Sequence, residues 1–130
     1  MNLTEAKEFF KNDAFATSAA GIEILAVGEN YAKCGFEIKD IHRNAVGGVI
    51  GGAVFTLADF TFAVAANVTA QSATVTVTST INYLAPCKGK SLIAESRLLK
   101  DGKSLCFYRI DITDENGNPV ATVNTTGKHC

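Results

Sequence analysis

The chain has 130 residues, of which 13 are acidic and 12 basic, for a formal charge of −1. With 47% apolar residues this balance excludes intrinsic disorder, and it lacks the basic excess that nucleic-acid binding needs. The length suits one domain, residues 1–130, with a core large enough to need no staples.

The elements follow in chain order. Residues 3–12 read as a short helix: Leu3, Ala6, Phe10 and Ala14 recur at helical spacing, and Asn2 with Glu5 makes a capping-box signal. Glu5, Lys7 and Glu8 interrupt this start, so no export signal is expected. Gly21–Val27 and Tyr31–Asp40 read as strands around a Gly28-Glu29-Asn30 turn; Ala32, Cys34, Phe36 and Ile38 alternate with polar or small residues. A glycine-rich loop, Asp40–Val49, leads into a helix over Gly51–Val68. Four strands remain. Ala73–Tyr83 is β-branched, with Val75, Val77, Ser79, Ile81 and Tyr83 on one face and Thr74, Thr76, Thr78, Thr80 and Asn82 on the other. A turn at Pro86–Gly89 precedes Ser91–Leu99. That strand pairs with Ser104–Thr113 through Asp101-Gly102, and Asn116-Gly117 turns the chain into Val120–Thr126.

From Ala45 to Val68 the only charged residue is Asp59. The stretch is long enough to span a bilayer. Asp59 near its middle would cost about 2.5–3.5 kcal/mol there, and both flanks read as amphipathic strands, so a membrane is not the expected setting. A helix apolar on nearly all sides is instead a buried one. The economical architecture is α+β: a long central helix wrapped by a curved antiparallel β-sheet.

Cys34, Cys87, Cys106 and Cys130 are far apart and form no Cys-x-x-Cys pair, and His42 and His129 are the only histidines. No metal site is expected; four reduced thiols in a cytoplasmic protein are.

Asp59 needs explaining, because a carboxylate on an apolar helix is paired, solvent-facing or functional. Its structural reading is a bond to a neighbouring strand's Thr or backbone; its functional reading is a general base or nucleophile. Gly51 and Gly52 open the same helix. They are either a tight entry turn or an electrophile site, where unpartnered N–H groups polarise a carbonyl and hold its oxyanion. Asp59 lies eight positions past Gly51, about 12 Å of helix rise. A base and an oxyanion donor must both lie close to one reacting carbon, so within one chain the two cannot meet. If both act, the base comes from a second subunit with an opposed helix, in a two-fold dimer.

The run from His42 to Asp59, His-Arg-Asn-Ala-Val-Gly-Gly-Val-Ile-Gly-Gly-Ala-Val-Phe-Thr-Leu-Ala-Asp, resembles the hotdog-fold acyl-CoA thioesterases, most closely their PaaI-type branch. The likeness extends to Phe62–Asn67, Ile81–Pro86 and Lys100–Ser104. The resemblance implies a hotdog fold and hydrolysis of acyl-CoA or other acyl thioesters. It implies Asp59 as the catalytic carboxylate, Asn44 as the amide near the thioester, Gly51 as the N–H that polarises the carbonyl, and Thr76 in place of a water-orienting Ser. Substrate contacts fall to Ile50, Gly52 and Phe55, although an aromatic on this helix also suits the core or a dimer interface. Ile50 departs from the pattern, standing where these relatives have His. It motivates a second reading, a non-catalytic acyl-CoA binding or sensing module. His42 matches a separate family position and reads here as a solvated loop residue. CoA would be part of the substrate and no cofactor is expected. The other implied partner is the chain itself, as a homodimer or homotetramer. Lys88, Lys90, Arg97, Lys100, Lys103 and Arg109 are the candidate cations for CoA.

Overall fold

The computed structural model describes residues 1–69 and 72–130 of the chain. Helix α1 spans Leu3–Phe10 and buries Ala6 and Phe10. The expected capping box forms: the Asn2 side chain accepts from the Glu5 N–H at 2.8 Å, and the Glu5 carboxylate accepts from the Asn2 N–H at 2.9 Å. The helix stops two residues short of the expected end. A π-helical turn over Phe15–Ala19 follows, which no periodic pattern of residues announces.

Six strands form one antiparallel sheet: β1 (Glu23–Gly28), β2 (Tyr31–Glu37), β3 (Thr74–Tyr83), β4 (Ser91–Asp101), β5 (Leu105–Asp114) and β6 (Pro119–His129). Their order is β1-β2-β4-β5-β6-β3. β3 is therefore an edge strand, although it lies mid-chain. β6 runs on to His129, past the expected Thr126. β4 continues through Asp101, so the hairpin turn lies at Gly102–Ser104 rather than at Asp101-Gly102.

Helix α2 spans Gly51–Asn67 and packs against all six strands. Val54, Leu57, Ala58, Phe60, Thr61, Phe62, Val64, Ala65 and Ala66 are buried, which accounts for its nearly uniform apolar character. Gly52 and Asp59 remain exposed, with Phe55, Thr56 and Ala63 half-covered beside them; together they form one open face. Among the described residues no helix is long and apolar enough to cross a membrane.

Two local features bring the sheet onto α2. Asn67 ends the helix with its Nδ2 donating to the Ala63 and Thr74 carbonyls and its Oδ1 accepting from the Thr74 N–H at 2.8 Å, which ties the start of β3 to the helix. Gly127 on β6, paired with Thr76, leaves no room for a side chain. A Cβ there would lie 2.6 Å from the Phe62 ring and 2.9 Å from the Cys106 Sγ.

The strict alternation expected along β3 is corrected by the structure. The β3–β6 register shifts between Thr76 and Thr78, which is a β-bulge at Val77. The extra residue reverses the alternation. Thr76 and Tyr83, assigned to opposite faces by parity, both turn toward α2.

His42 also departs from its expected place. It is buried, with its ring 4.1 Å from Phe36. Its Nδ1 accepts from the Lys39 N–H at 2.9 Å, and its Nε2 donates to the Ala20 carbonyl at 2.7 Å. Both ring nitrogens are thus occupied: Nδ1 closes the local turn from Lys39, and Nε2 ties the glycine-rich loop to the end of the π-helical turn. The four cysteines are free; Cys34 and Cys106 are buried in the sheet.

Candidate active site

The sequence-derived residues fall into groups along α2. The first lies at its N-terminus. Ile50 takes the N-cap position in an extended conformation and supplies no side-chain cap. Among the described residues, the Gly51 and Gly52 N–H groups have no hydrogen-bond partner. They are the free donors of a helix start, where the partial charge is positive.

Tyr83 reaches this end from β3, and its hydroxyl donates to the Gly51 carbonyl at 2.8 Å. A Cβ on residue 51 would lie 2.8 Å from that hydroxyl and 3.1 Å from the ring carbon bearing it, so the tyrosine occupies the space a side chain would need. The Gly51 carbonyl belongs to the same amide as the Gly52 N–H. A hydrogen bond on the oxygen polarises that amide and strengthens its N–H as a donor. Strict alternation along β3 puts Tyr83 on the face opposite Thr76. The Tyr83 hydroxyl contact depends on the bulge at Val77, which no residue type announces.

Asn44 lies beside the same helix start. Its Oδ1 accepts from the Val46 and Gly48 N–H groups at 3.1 and 3.0 Å, which fixes the loop. Its Nδ2 is then the part of the amide left for a ligand. Asn44, Gly51, Tyr83 and Cys87 line one cavity of about 500 Å³. Of the six candidate cations, Arg109 is engaged by Asp111 at 3.2 Å. Lys88, which is exposed, follows the cavity-lining Cys87 in sequence.

Asp59 lies two turns further along, in a recess it shares with Asp13, Phe15, Thr56 and Phe60. Its Oδ1 accepts from the Thr76 hydroxyl at 3.4 Å. The carboxyl is pushed above its ordinary value, first by desolvation in the recess. The Thr76 hydrogen bond opposes the shift, and the charge of Asp13 adds to it. A carboxylate so placed is a better proton acceptor than an ordinary one. Thr76 and Asp59 are thus brought together, whereas Asn44 and Gly51 belong to the other cavity.

Ile50 and Gly52 line a third, apolar groove on the open face of α2. Phe55 is half-buried on the helix and lines none of these three spaces. Among the described residues no three His, Cys, Asp or Glu side chains are grouped so as to hold a metal ion.

A family profile described as the thioesterase superfamily matches residues 47–121, which include Gly51, Asp59, Thr76 and Tyr83. Acyl-coenzyme A thioesterase PaaI of Escherichia coli is 32% identical over 117 residues, covering 89% of this chain and 82% of that protein. Acyl-coenzyme A thioesterase 13 of Mus musculus is 28% identical, covering 98% of this chain and 94% of that one. The solved structure of the E. coli PaaI protein superposes with a TM-score of 0.84 at 25% identity, over 98% of this chain and 96% of that one. A hypothetical thioesterase from Streptococcus pneumoniae, solved with coenzyme A, superposes with a TM-score of 0.82 at 25% identity, over 93% and 96% of the two chains.

Proposed function

The chain belongs to the thioesterase superfamily and has its hotdog fold, and we propose that it hydrolyses acyl-CoA thioesters at composite sites formed by two copies of the chain. The observation that carries this reading is the division of the site along α2. The free N–H donors stand at one end, and the proton acceptor stands eight residues away, about 12 Å of helix rise. β3, which carries Thr76 and Tyr83, lies at the edge of the sheet with one side unpaired. Pairing two β3 edges about a two-fold axis sets the two α2 helices side by side and antiparallel. Asp59 of one subunit then faces the Gly51 end of the other, and the whole chain, residues 1–130, acts as one domain of the pair.

In this arrangement the thioester carbonyl oxygen accepts from the Gly51 and Gly52 N–H groups, with Tyr83 strengthening the second donor. Asn44 Nδ2 contacts the thioester from the loop. Asp59 of the opposite subunit takes a proton from water, oriented by the Thr76 hydroxyl, as the water oxygen attacks the acyl carbon. The negative charge that develops on the carbonyl oxygen is held by the N–H groups. When the C–S bond breaks, the CoA sulfur takes the proton back from Asp59. The products are a carboxylic acid and free CoA. The exposed Lys88, next to Cys87 in sequence, meets the anionic nucleotide.

A thiol-release assay against a panel of acyl-CoAs, with Asp59→Ala as its pair, tests the reading. Release that depends on Asp59 for at least one acyl group supports it. Ile50 favours a second reading, binding without turnover, because an isoleucine side chain offers no hydrogen bond at the helix start. In that case a non-hydrolysable thioester analogue binds, no acyl-CoA is cleaved, and Ile50→His is the variant that tests whether cleavage returns.

A further inference from the structure

One wall of the cavity that holds Asn44, Gly51 and Tyr83 is the segment Leu84–Cys87, between β3 and β4. This segment belongs to no helix or strand, and it is suspended at two points. At its start the Leu84 and Ala85 N–H groups donate to the Val120 carbonyl at 2.8 and 3.3 Å. Just past its end the Lys90 N–H donates to the Glu115 carboxylate, 3.0 Å from Oε1 and 2.8 Å from Oε2. Both anchors, Glu115 and Val120, come from the β5–β6 hairpin.

The turn that carries Glu115 is itself fixed. Asp114 is buried, and its Oδ1 accepts from the Asn116 and Asn118 N–H groups at 2.9 Å, while its Oδ2 accepts from Asn118 Nδ2 at 3.0 Å. The Glu115 carboxylate fills the space beside Gly89: a Cβ on residue 89 would overlap Oε1 and lie 2.9 Å from the Asp114 Cβ. The Glu115 carboxyl is held below its ordinary value, chiefly by the Lys90 N–H, so the tie is made by the ionised group. The Lys90 carbonyl accepts from the Ile38 N–H at 2.8 Å, on the approach to the glycine-rich loop. Lys90 therefore joins three segments around the cavity, although neither it nor Glu115 lines the space.

We propose that Glu115 is a positioning residue for the substrate site: through the Lys90 N–H it holds Pro86 and Cys87 in place as the wall against which the CoA thioester packs. The proposal rests on the thioesterase reading. A wall that is already ordered costs nothing to order when the ligand arrives, so releasing it weakens binding. The chemical step is spared, because the Gly51 and Gly52 donors are fixed by α2 and Asp59 belongs to a separate recess.

The test measures calorimetric binding of a non-hydrolysable S-alkyl-CoA thioether to the full chain, with KM and kcat for the matching acyl-CoA. Glu115→Ala should raise Kd and KM by about three- to tenfold, the loss of one hydrogen bond, and leave kcat within about twofold. Glu115→Gln removes the charge but keeps an acceptor for the Lys90 N–H, and should bind close to wild type. Gly89→Ala displaces the carboxylate and should reproduce Glu115→Ala; the double variant should be no weaker than either. Cys87 is half-buried, Cys34 and Cys106 are buried and Cys130 is exposed, so in a Cys130→Ser background iodoacetamide reads Cys87. Its alkylation should quicken in Glu115→Ala more than in Glu115→Gln, and melting curves check that each variant folds. Thioether binding weakened in this pattern without turnover by the wild type supports the positioning role and overturns the hydrolytic reading. Turnover with Kd, KM and alkylation unmoved by Glu115→Ala and Gly89→Ala overturns the positioning role and leaves hydrolysis standing. A fall in kcat that follows Tm, with KM unmoved, makes Glu115 merely structural and overturns the proposal. A wild-type chain that neither binds the thioether nor cleaves any acyl-CoA overturns both.

Discussion

The two ends of α2 present different kinds of group. At the N-terminus the working groups belong to the backbone: two N–H donors freed by the helix start and a carbonyl held by Tyr83. At the Asp59 end they are side chains, a carboxylate in a shallow recess shared with Asp13 and the Thr76 hydroxyl beside it. A backbone site is fixed by the fold and is hard to remove by substitution. A side-chain site is set by one residue and its surroundings. The two ends should therefore respond differently to mutation.

The largest effect belongs to Asp59. Asp59→Asn should lower kcat by about 10²–10⁴, the usual contribution of a positioned acid or base, with a much smaller change in KM. It should not lower stability. The carboxyl is raised in the folded chain, so its ionised form weighs against the fold once pH exceeds the unfolded carboxylate value. At neutral pH the variant should melt at or above the wild-type temperature. A large loss of Tm in Asp59→Asn would mean that the carboxylate is structural.

The same shift predicts the pH profile. With Asp59 as the proposed base, kcat/KM should fall on the acid side at a pH above the ordinary carboxylate range. Asp13→Asn removes a charge that raises this value, and the acid limb should move to lower pH. An acid limb at the ordinary carboxylate value, unmoved by Asp13→Asn, would separate Asp59 from the rate.

The remaining variants probe how each end is held. Gly127→Ala presses a methyl against the Phe62 ring and the Cys106 Sγ in the packed core, and should cost about 1–3 kcal/mol of stability, read by denaturant melts. Tyr83→Phe removes one hydrogen bond at the other end, typically worth about 0.5–1.5 kcal/mol. It should lower kcat by up to about tenfold and Tm by no more than a few degrees. Lys88→Glu should raise the KM for acyl-CoA by a few-fold at most, since an exposed charge contributes about 1 kcal/mol or less, and added salt should shrink the difference.

Much of this was legible in the sequence. Periodicity gave the order of the main elements, and the lone charge at Asp59 in a long apolar stretch marked the central helix and its catalytic candidate together. The spacing between Gly51 and Asp59 predicted that the two stand apart on α2, and they line separate spaces. What the residues did not show arises from contacts across the fold. The bulge at Val77 inverts the facing of half of β3, and only its pairing with β6 reveals it. Without it Tyr83 and Thr76 cannot both address α2. His42 sits in a loop that looks solvated because its polar neighbours are close in sequence. Its burial comes from Phe36 and the Ala20 carbonyl, which are close only in space. The apolar groove escaped notice for a similar reason: Phe15, Ile41 and Ile50 lie on three separate segments.

The claim that the site is shared between subunits has a direct test in mixed dimers. Asp59→Ala disables one end. Asn44→Asp keeps the oxygen that holds the loop and removes the Nδ2 donor at the other. Each variant alone should be nearly inactive. Unfolding and refolding the two together pairs them at random, and half of the resulting dimers are mixed. Each mixed dimer then holds one site with both ends intact, so the mixture should recover about a quarter of wild-type activity. Activity no higher than the sum of the two parents, in a mixture shown to contain mixed dimers, would contradict a composite site.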